Sequence, residues 1–202
     1  MCLLILPNNF STSALVFING IVLMFVAKIR LQFIAKVLGI GLVSAFVIYG
    51  ATKYTPIGTK IMPRSATWVS RIDNFFKGDD EQKMAKDYQQ TQALVAIQNG
   101  GLYGLGPGKS TQRSILPYSY SDFIYAIILE EYGLIGGVSA ILFYLILLFR
   151  AVRISLKSQS FFGSLVSIGL MFSLVFQAFI NMLVSVEIMP VTGQTLPLIS
   201  MG

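Results

Sequence analysis

The chain of 202 residues is 54% hydrophobic and only 12% charged, with a mean hydropathy of +0.71. In soluble domains about a quarter of the residues are charged, so this composition indicates a chain embedded in a membrane. The absence of histidine and the single Cys2 exclude histidine catalysis, a histidine-based pH switch and an internal disulfide. The formal net charge is +6.

Apolar runs with few or no charges predict four membrane-spanning helices, each near the length of about 20 residues that crosses the hydrocarbon core. In chain order they cover residues 12–27, 37–53, 123–149 and 161–186. The third run contains Glu130 and Glu131, and the fourth contains Gln177 and Asn181, for which interhelical hydrogen bonds are expected. The expected fold class is all-α, a polytopic transmembrane helical bundle that forms a single membrane domain over residues 1–202.

The longest polar segment, residues 54–122, is predicted to be a large loop outside the cytoplasm. The short connections Lys28–Lys36 and Arg150–Lys157 each carry three basic residues and no acidic ones, which favours the cytoplasmic side for them. Within the outer loop, the sequence predicts a short helix over Asp87–Gln98 followed by a glycine-rich turn.

Both ends of the chain indicate a piece of a longer protein. Met1 opens an uncharged segment that lacks the basic residues of a signal peptide. After Pro190 and Pro197 the chain stops where another apolar helix would begin, so a truncated final helix is predicted from about residue 197.

The segment Gly104-Leu-Gly-Pro-Gly-Lys-Ser110 is similar to a nucleotide-binding P-loop, but Tyr103 occupies the position of the first glycine. Two interpretations remain. The segment is either a tightly turning connection or a nest of backbone N–H groups that binds a phosphate group together with Lys109. Arg113 would add positive charge to such a nest.

Two acidic residues at the third span are candidates for function. Asp122 either caps the N-terminus of the helix or acts as a general base at the membrane surface, near Lys109 and Arg113. Glu130 lies inside the span, where a carboxylate is costly unless it is paired or hydrated. It is about 80° around the helix from Asp122 and faces the same cavity, or else it pairs with a basic residue of another helix.

The residues alone leave the function open between a transporter and an enzyme that acts on a lipid-linked anionic substrate. A longer motif string is more specific. In order and spacing it resembles the SEDS family of cell-wall polymerases, to which FtsW, RodA and SpoVE belong, through Gly101–Pro117, Ser121–Ala126, Glu130–Gly136, Asn181 and Met189–Ser200. The glycine-rich part is most similar to the division-type FtsW branch.

The resemblance implies that the chain is the C-terminal half of a longer polytopic protein in the bacterial cytoplasmic (inner) membrane. It implies a peptidoglycan glycosyltransferase that polymerises lipid II into glycan strands at the outer face during septal cell-wall synthesis. A class B penicillin-binding protein transpeptidase and other proteins of the division complex are the implied partners. No nucleotide and no nucleic acid are expected.

The family's essential aspartate falls on Asp122, the expected general base for the acceptor hydroxyl. Lys109 and Arg113, with Arg71, are expected to contact the lipid diphosphate that leaves. Three further residues are expected to orient the substrate: Ser110, Gln112 and Glu130. A divalent cation, Mg²⁺ or Mn²⁺, is a further expected source of positive charge, although no acidic cluster in the sequence identifies its site.

The alternatives are a lipid II flippase or a scaffold of the division complex without chemistry. A transporter should place its acidic residues along a path through the middle of the bilayer. An enzyme should instead gather Asp122, Lys109 and Arg113 in one cavity at the outer face. The position of these residues in the outer loop or at its edge favours the enzyme.

Overall fold

The computed structural model describes residues 2–6, 9–54, 83–112, 123–190 and 192–200. Within these ranges all the regular secondary structure is helical, which confirms the all-α fold class. In chain order the helices are α1 (Cys2–Ile5), α2 (Phe10–Val26), α3 (Leu31–Tyr54), α4 (Lys83–Gly100), α5 (Ile124–Lys157) and α6 (Phe161–Ser185).

Helices α3, α5 and α6 are long and apolar enough to cross a membrane. Helix α2 is also apolar but has 17 residues, which is the lower end of the range of about 17–25 for a span. Many large apolar side chains are exposed, among them Phe46 at 77% and Phe143 at 69%. Exposure on this scale is typical of surfaces that a membrane or a partner covers.

The connection between the last two long helices is shorter than the sequence suggested. Helix α5 continues through Arg150–Lys157, so the basic residues expected in a loop are helical, and only residues 158–160 separate α5 from α6. Of the predicted outer loop, residues 55–82 and 113–122 lie outside the described residues. The helix predicted over Asp87–Gln98 is confirmed, since it lies within α4.

The described residues form two compact units. The first contains residues up to 54 together with Val152–Ser173. In this unit Ser13 Oγ donates a hydrogen bond of 2.9 Å to the carbonyl oxygen of Cys2, and so ties α1 to α2. The ring of Phe17 lies against the backbone of α3 at Gly41, where the absence of a side chain leaves room for the ring.

The second unit contains residues 83–151 together with those from Leu174 onward, and its core lies between α4 and the start of α5. Helix α4 ends at Gly100, where a Cβ atom would lie 1.9 Å from the carbonyl oxygen of Leu129. Small residues therefore let the two backbones approach closely, as they do between helices in membranes. The buried cluster at this contact consists of Ala93, Ala96, Phe123 and Ala126.

An irregular segment, residues 192–200, also belongs to the second unit and is held by side chains of α5 and α6. Three side-chain groups donate to its carbonyl oxygens: Asn181 Nδ2 to Gln194 at 2.7 Å, Gln177 Nε2 to Thr195 at 3.2 Å, and the Tyr144 hydroxyl to Pro197. The amide groups of Gln177 and Asn181 thus bond irregular backbone, which needs partners from the protein inside a membrane. Residues 197–199, where a final helix is predicted to begin, form a turn, and residues 201 and 202 lie outside the described residues.

Replacing Gly100 by alanine is expected to lower the unfolding temperature of the purified protein in detergent. The new Cβ would meet the Leu129 carbonyl oxygen at 1.9 Å, and overpacking of this kind costs about 1–3 kcal/mol. Gly39→Ala in α3 is the matched control, because a Cβ there has nothing within 4 Å. Differential scanning fluorimetry compares the two, and equal unfolding temperatures would contradict the close packing of α4 on α5.

Candidate functional site

Helix α5 is broken at Gly133, which has φ 65° and ψ −166°. Glycine is essentially the only residue that adopts this conformation. Residues 124–132 therefore form a short first segment, and residues 134–157 form a second that is about 36 Å long at 1.5 Å per residue. The second segment alone exceeds the hydrocarbon thickness of about 30 Å. The hydropathy pattern showed one continuous run and gave no sign of the break.

The segment Gly101–Gln112, here called the glycine loop, supplies the hydrogen bonds that the break removes. In an unbroken helix the N–H groups of Leu134 and Ile135 would donate to carbonyl oxygens four residues earlier. Instead they donate to the glycine loop, to the carbonyl oxygens of Gly101 at 3.0 Å and Leu102 at 3.4 Å. The N–H groups of the two residues that follow Gly133 are therefore hydrogen-bonded.

The acceptors on the other side are satisfied in the same way. The carbonyl oxygens of Glu130 and Glu131 would have received those two bonds. They accept from the N–H groups of Leu105 and Gly106 instead, each at 2.9 Å. The glycine loop and the broken helix thus exchange two pairs of backbone hydrogen bonds, which replace two of the bonds that the break interrupts.

Only glycine fits where these two backbones meet. A Cβ on Gly104, which has φ 80°, would lie 2.2 Å from the carbonyl oxygen of Glu131. A Cβ on Gly133 would lie 2.4 Å from the carbonyl oxygen of Leu102. Both obstacles are backbone atoms, which cannot move aside as a side chain can. The close approach explains the glycine requirement in physical terms.

This geometry decides between the two interpretations of the glycine-rich motif. The tightly turning connection is confirmed, with positive φ at Gly101, Gly104, Gly106 and Gly108. The phosphate nest is wrong for the amides of Leu105 and Gly106, because both already donate to α5. The exposed side chain of Lys109 remains a candidate for binding an anion.

The carboxyl group of Glu130 forms a second attachment between α5 and the glycine loop. Its side chain is fully buried, at 0% exposed. Oε2 accepts from the hydroxyl of Ser110, and Oε1 accepts from the backbone N–H of Thr111 at 3.2 Å and from its hydroxyl at 2.8 Å. Three donors thus bond the two oxygens of a carboxyl group that would be costly inside a span without partners.

Sequence reasoning singled out Glu130 but missed Thr111. The bonds observed for Glu130 run to the glycine loop and not to a basic residue of another helix. Thr111 carries no motif of its own, and nothing in the spacing pairs residues 19 positions apart. The only local hint of such a role is that Thr111 has a hydroxyl donor and follows Ser110, which has another.

The other predicted site residues divide into two groups. Lys109 is exposed, and its backbone N–H donates to the carbonyl oxygen of Gly106 at 3.2 Å. Gln112 is 6% exposed, and in the described part of the chain its Oε1 has no hydrogen-bond partner, which suits it to accept from a ligand. Asp122, Arg113 and Arg71 lie outside the described residues, so their place beside Lys109 stays a prediction.

Two further observations bear on the site. Phe123, which directly follows Asp122 in the chain, is 1% exposed and packs in the cluster between α4 and α5, so the start of α5 is anchored. Among the described residues, no three His, Cys, Asp or Glu side chains are grouped closely enough to hold a metal ion. The divalent cation, Mg²⁺ or Mn²⁺, therefore stays a prediction, since the residues around Asp122 lie outside the described part of the chain.

Gly104→Ala is expected to detach the glycine loop from the broken helix. The clash at 2.2 Å with the Glu131 carbonyl should increase amide hydrogen exchange at Leu105 and Gly106, measured by mass spectrometry. Gly108→Ala is the matched control, since it also has positive φ but its Cβ meets nothing within 4 Å. Equal exchange in both variants would mean that backbone strain, and not the close approach, governs the loop.

The chain is similar to proteins of one known family. The sequence profile of a family described as cell cycle protein, which groups FtsW, RodA and SpoVE, matches residues 1–202. Stage V sporulation protein E of Bacillus subtilis (strain 168) is 41% identical over 123 residues, which cover 60% of this chain and 34% of that protein. "Probable peptidoglycan glycosyltransferase FtsW" of Escherichia coli O6:H1 is 36% identical over 207 residues, which cover 99% of this chain and 46% of that protein.

The relative of the same name from Buchnera aphidicola subsp. Baizongia pistaciae is 31% identical over 207 residues, covering 100% of this chain and 50% of that protein. The chain thus spans about half the length of these full-coverage relatives. A solved structure, "Structural coordination of polymerization and crosslinking by a peptidoglycan synthase complex", shares the fold with a TM-score of 0.68 at 23% identity, over 99% of this chain and 52% of that one. With its apolar helices and a family match over its whole length, this chain is an integral membrane protein that belongs to the FtsW/RodA/SpoVE family.

Proposed function

We propose that this chain is the C-terminal part of a peptidoglycan glycosyltransferase that polymerises lipid II into glycan strands during septal cell-wall synthesis. The relatives that cover the whole chain carry the name of a probable peptidoglycan glycosyltransferase. The observation that carries the proposal is the attachment of the glycine loop to the broken helix α5. It supports a fixed, exposed cation, Lys109, on a rigid element, as a site for a lipid diphosphate requires.

The same attachment argues against a transport path along α5. In transporters with broken helices, the unwound carbonyl groups coordinate the transported or coupling ion. Here the carbonyl oxygens of Glu130 and Glu131 accept from the glycine loop. The buried carboxyl group of Glu130 is likewise bonded by three donors of that loop. The break therefore supports the loop, and the bonded oxygens of Glu130 and Glu131 are not open to an ion.

The proposed chemistry is a direct glycosyl transfer. The hydroxyl oxygen of the acceptor sugar attacks the anomeric carbon of the lipid-linked sugar, and the bond from that carbon to the diphosphate breaks. Asp122 takes the hydroxyl proton, and Lys109 with Arg113 and Arg71 stabilises the negative charge on the leaving diphosphate. Ser110 and Gln112 orient the substrate. A divalent cation bound at the diphosphate would add to this positive charge.

The setting of this reaction belongs to the proposal too. We place the glycine loop at the outer face of the bacterial cytoplasmic membrane, because the basic residues at Lys28–Lys36 and in the last turns of α5 favour the cytoplasm. The proposed partner is a class B penicillin-binding protein that cross-links the new strands. The solved structure with the same fold is described as a peptidoglycan synthase complex, which is in keeping with such a partner.

Asp122→Asn in the full-length protein is expected to abolish glycan polymerisation from lipid II, because amide nitrogen cannot accept the proton. Loss of a general base costs about 10²- to 10⁴-fold. Reconstitution with the transpeptidase partner and gel analysis of the glycan product measure it. The control is Asp87→Asn in α4, the same chemical change at a residue to which no role in the reaction is proposed. Wild-type polymerisation by the Asp122 variant would overturn the proposal, and lost lipid II translocation alongside it would identify a flippase.

Lys109→Gln is expected to lower polymerisation about 100-fold, since it removes a charge that faces the leaving diphosphate. Lys157→Gln removes an exposed lysine from the last turn of α5 and serves as the control. Initial rates over a lipid II concentration series compare the two variants. If both variants keep the wild-type rate, the glycine loop does not contact the substrate.

A further inference from the structure

We infer that Glu130 is a positioning residue that fixes the glycine loop and thereby Lys109, and that it is not a ligand of the substrate. The inference rests on the proposed function only for the consequence that this positioning has for catalysis. The attachment itself stands on the bonds between α5 and the glycine loop, and it replaces the substrate-orienting role that the sequence suggested for Glu130.

Burial argues first against direct contact with a substrate. The Glu130 side chain is 0% exposed, and both of its carboxyl oxygens accept hydrogen bonds from the glycine loop. A substrate hydroxyl or diphosphate would have to displace Ser110 or Thr111 before it reached this carboxyl group. Such a displacement would undo the arrangement that presents Lys109.

The position of Lys109 between two attachments argues for the positioning role. On its N-terminal side, Leu105 and Gly106 are bonded through their backbone N–H groups to α5. On its C-terminal side, Ser110 and Thr111 are bonded to the Glu130 carboxyl group. Only residues 107–109 lie between these attachments, and Pro107 restricts one of the three through its ring.

Glu130 takes part in both attachments. Its backbone carbonyl oxygen accepts from Leu105, and its carboxyl oxygens accept from Ser110 and Thr111. Glu130 therefore bonds the loop on both sides of the short stretch that carries the exposed lysine. Removal of the carboxyl group should release the C-terminal end of this short stretch, while its N-terminal end stays bonded to α5.

The substitution Glu130→Gln tests the inference with little change in size. It replaces one acceptor oxygen by an NH₂ group, which faces donors of the glycine loop instead of accepting from them. Glu131→Gln is the matched control, because it is the same change one residue along, and the structure shows the Glu131 carbonyl but not its side chain holding the loop.

The first measurement does not depend on activity. Limited trypsin digestion of the full-length protein in detergent, with mass spectrometry, gives the cleavage rate at the Lys109–Ser110 bond. Glu130→Gln should raise this rate about tenfold by freeing the loop, while Glu131→Gln should leave it at the wild-type value. Thr111→Val, which keeps the shape and removes one donor to Glu130, should raise it less. Unchanged cleavage in Glu130→Gln and Thr111→Val would overturn the inference.

The second measurement links the loop to the reaction. Glu130→Gln should lower the polymerisation rate from lipid II about 10- to 100-fold in the presence of Lys109, as misplacement of a catalytic group does. In a Lys109→Ala background the same substitution should add less than about a twofold loss, since coupled residues are not additive. Full additivity would overturn the inference, because it would show that Glu130 acts on the substrate or on general stability.

The two measurements also separate this inference from the proposed function. Faster cleavage in Glu130→Gln would support the attachment even if the wild-type protein formed no glycan from lipid II, and only the proposed function would then fail. If the wild-type protein polymerised lipid II normally and cleavage in Glu130→Gln were unchanged, the proposed function would stand and only this inference would fail.

Discussion

The exchange of backbone hydrogen bonds between the glycine loop and α5 is the constraint on which the second unit depends. Inside a bilayer no water is available to satisfy a free N–H or carbonyl group, so a broken helix needs partners from the protein. At Gly133 those partners come from Gly101, Leu102, Leu105 and Gly106. The break therefore depends on the glycine loop for these hydrogen bonds.

The bonds to α5 give the glycine loop a defined conformation despite its high glycine content. A segment with glycine at four positions between residues 101 and 108 would lose much conformational entropy on folding. Bonds to α5, the Glu130 carboxyl group and the close contact of Gly104 with the helix backbone offset that cost together. The result is an exposed lysine whose backbone is held from both sides, which is the kind of support that a charged substrate group requires.

Much of the fold could be predicted from the sequence, because a membrane-spanning helix is recognised by its hydropathy and its length. The apolar runs correspond to α2, α3, α5 and α6, and the cost of a carboxylate inside a span drew attention to Glu130. The break at Gly133 could not be predicted, since glycine is common in membrane helices and Gly136 and Gly137 follow without interrupting α5. Hydrogen-bond partners such as Thr111 for Glu130 depend on three-dimensional proximity, to which spacing along the chain gives no access.

The paired bonds at the break have one more consequence, for the length of the glycine loop. Gly101 and Leu102 bond one side of Gly133, and Leu105 and Gly106 bond the other, so Tyr103 and Gly104 span a fixed gap. Inserting or deleting a residue there would put one pair out of register with the other. In this stretch the number of residues is therefore as tightly constrained as their identity.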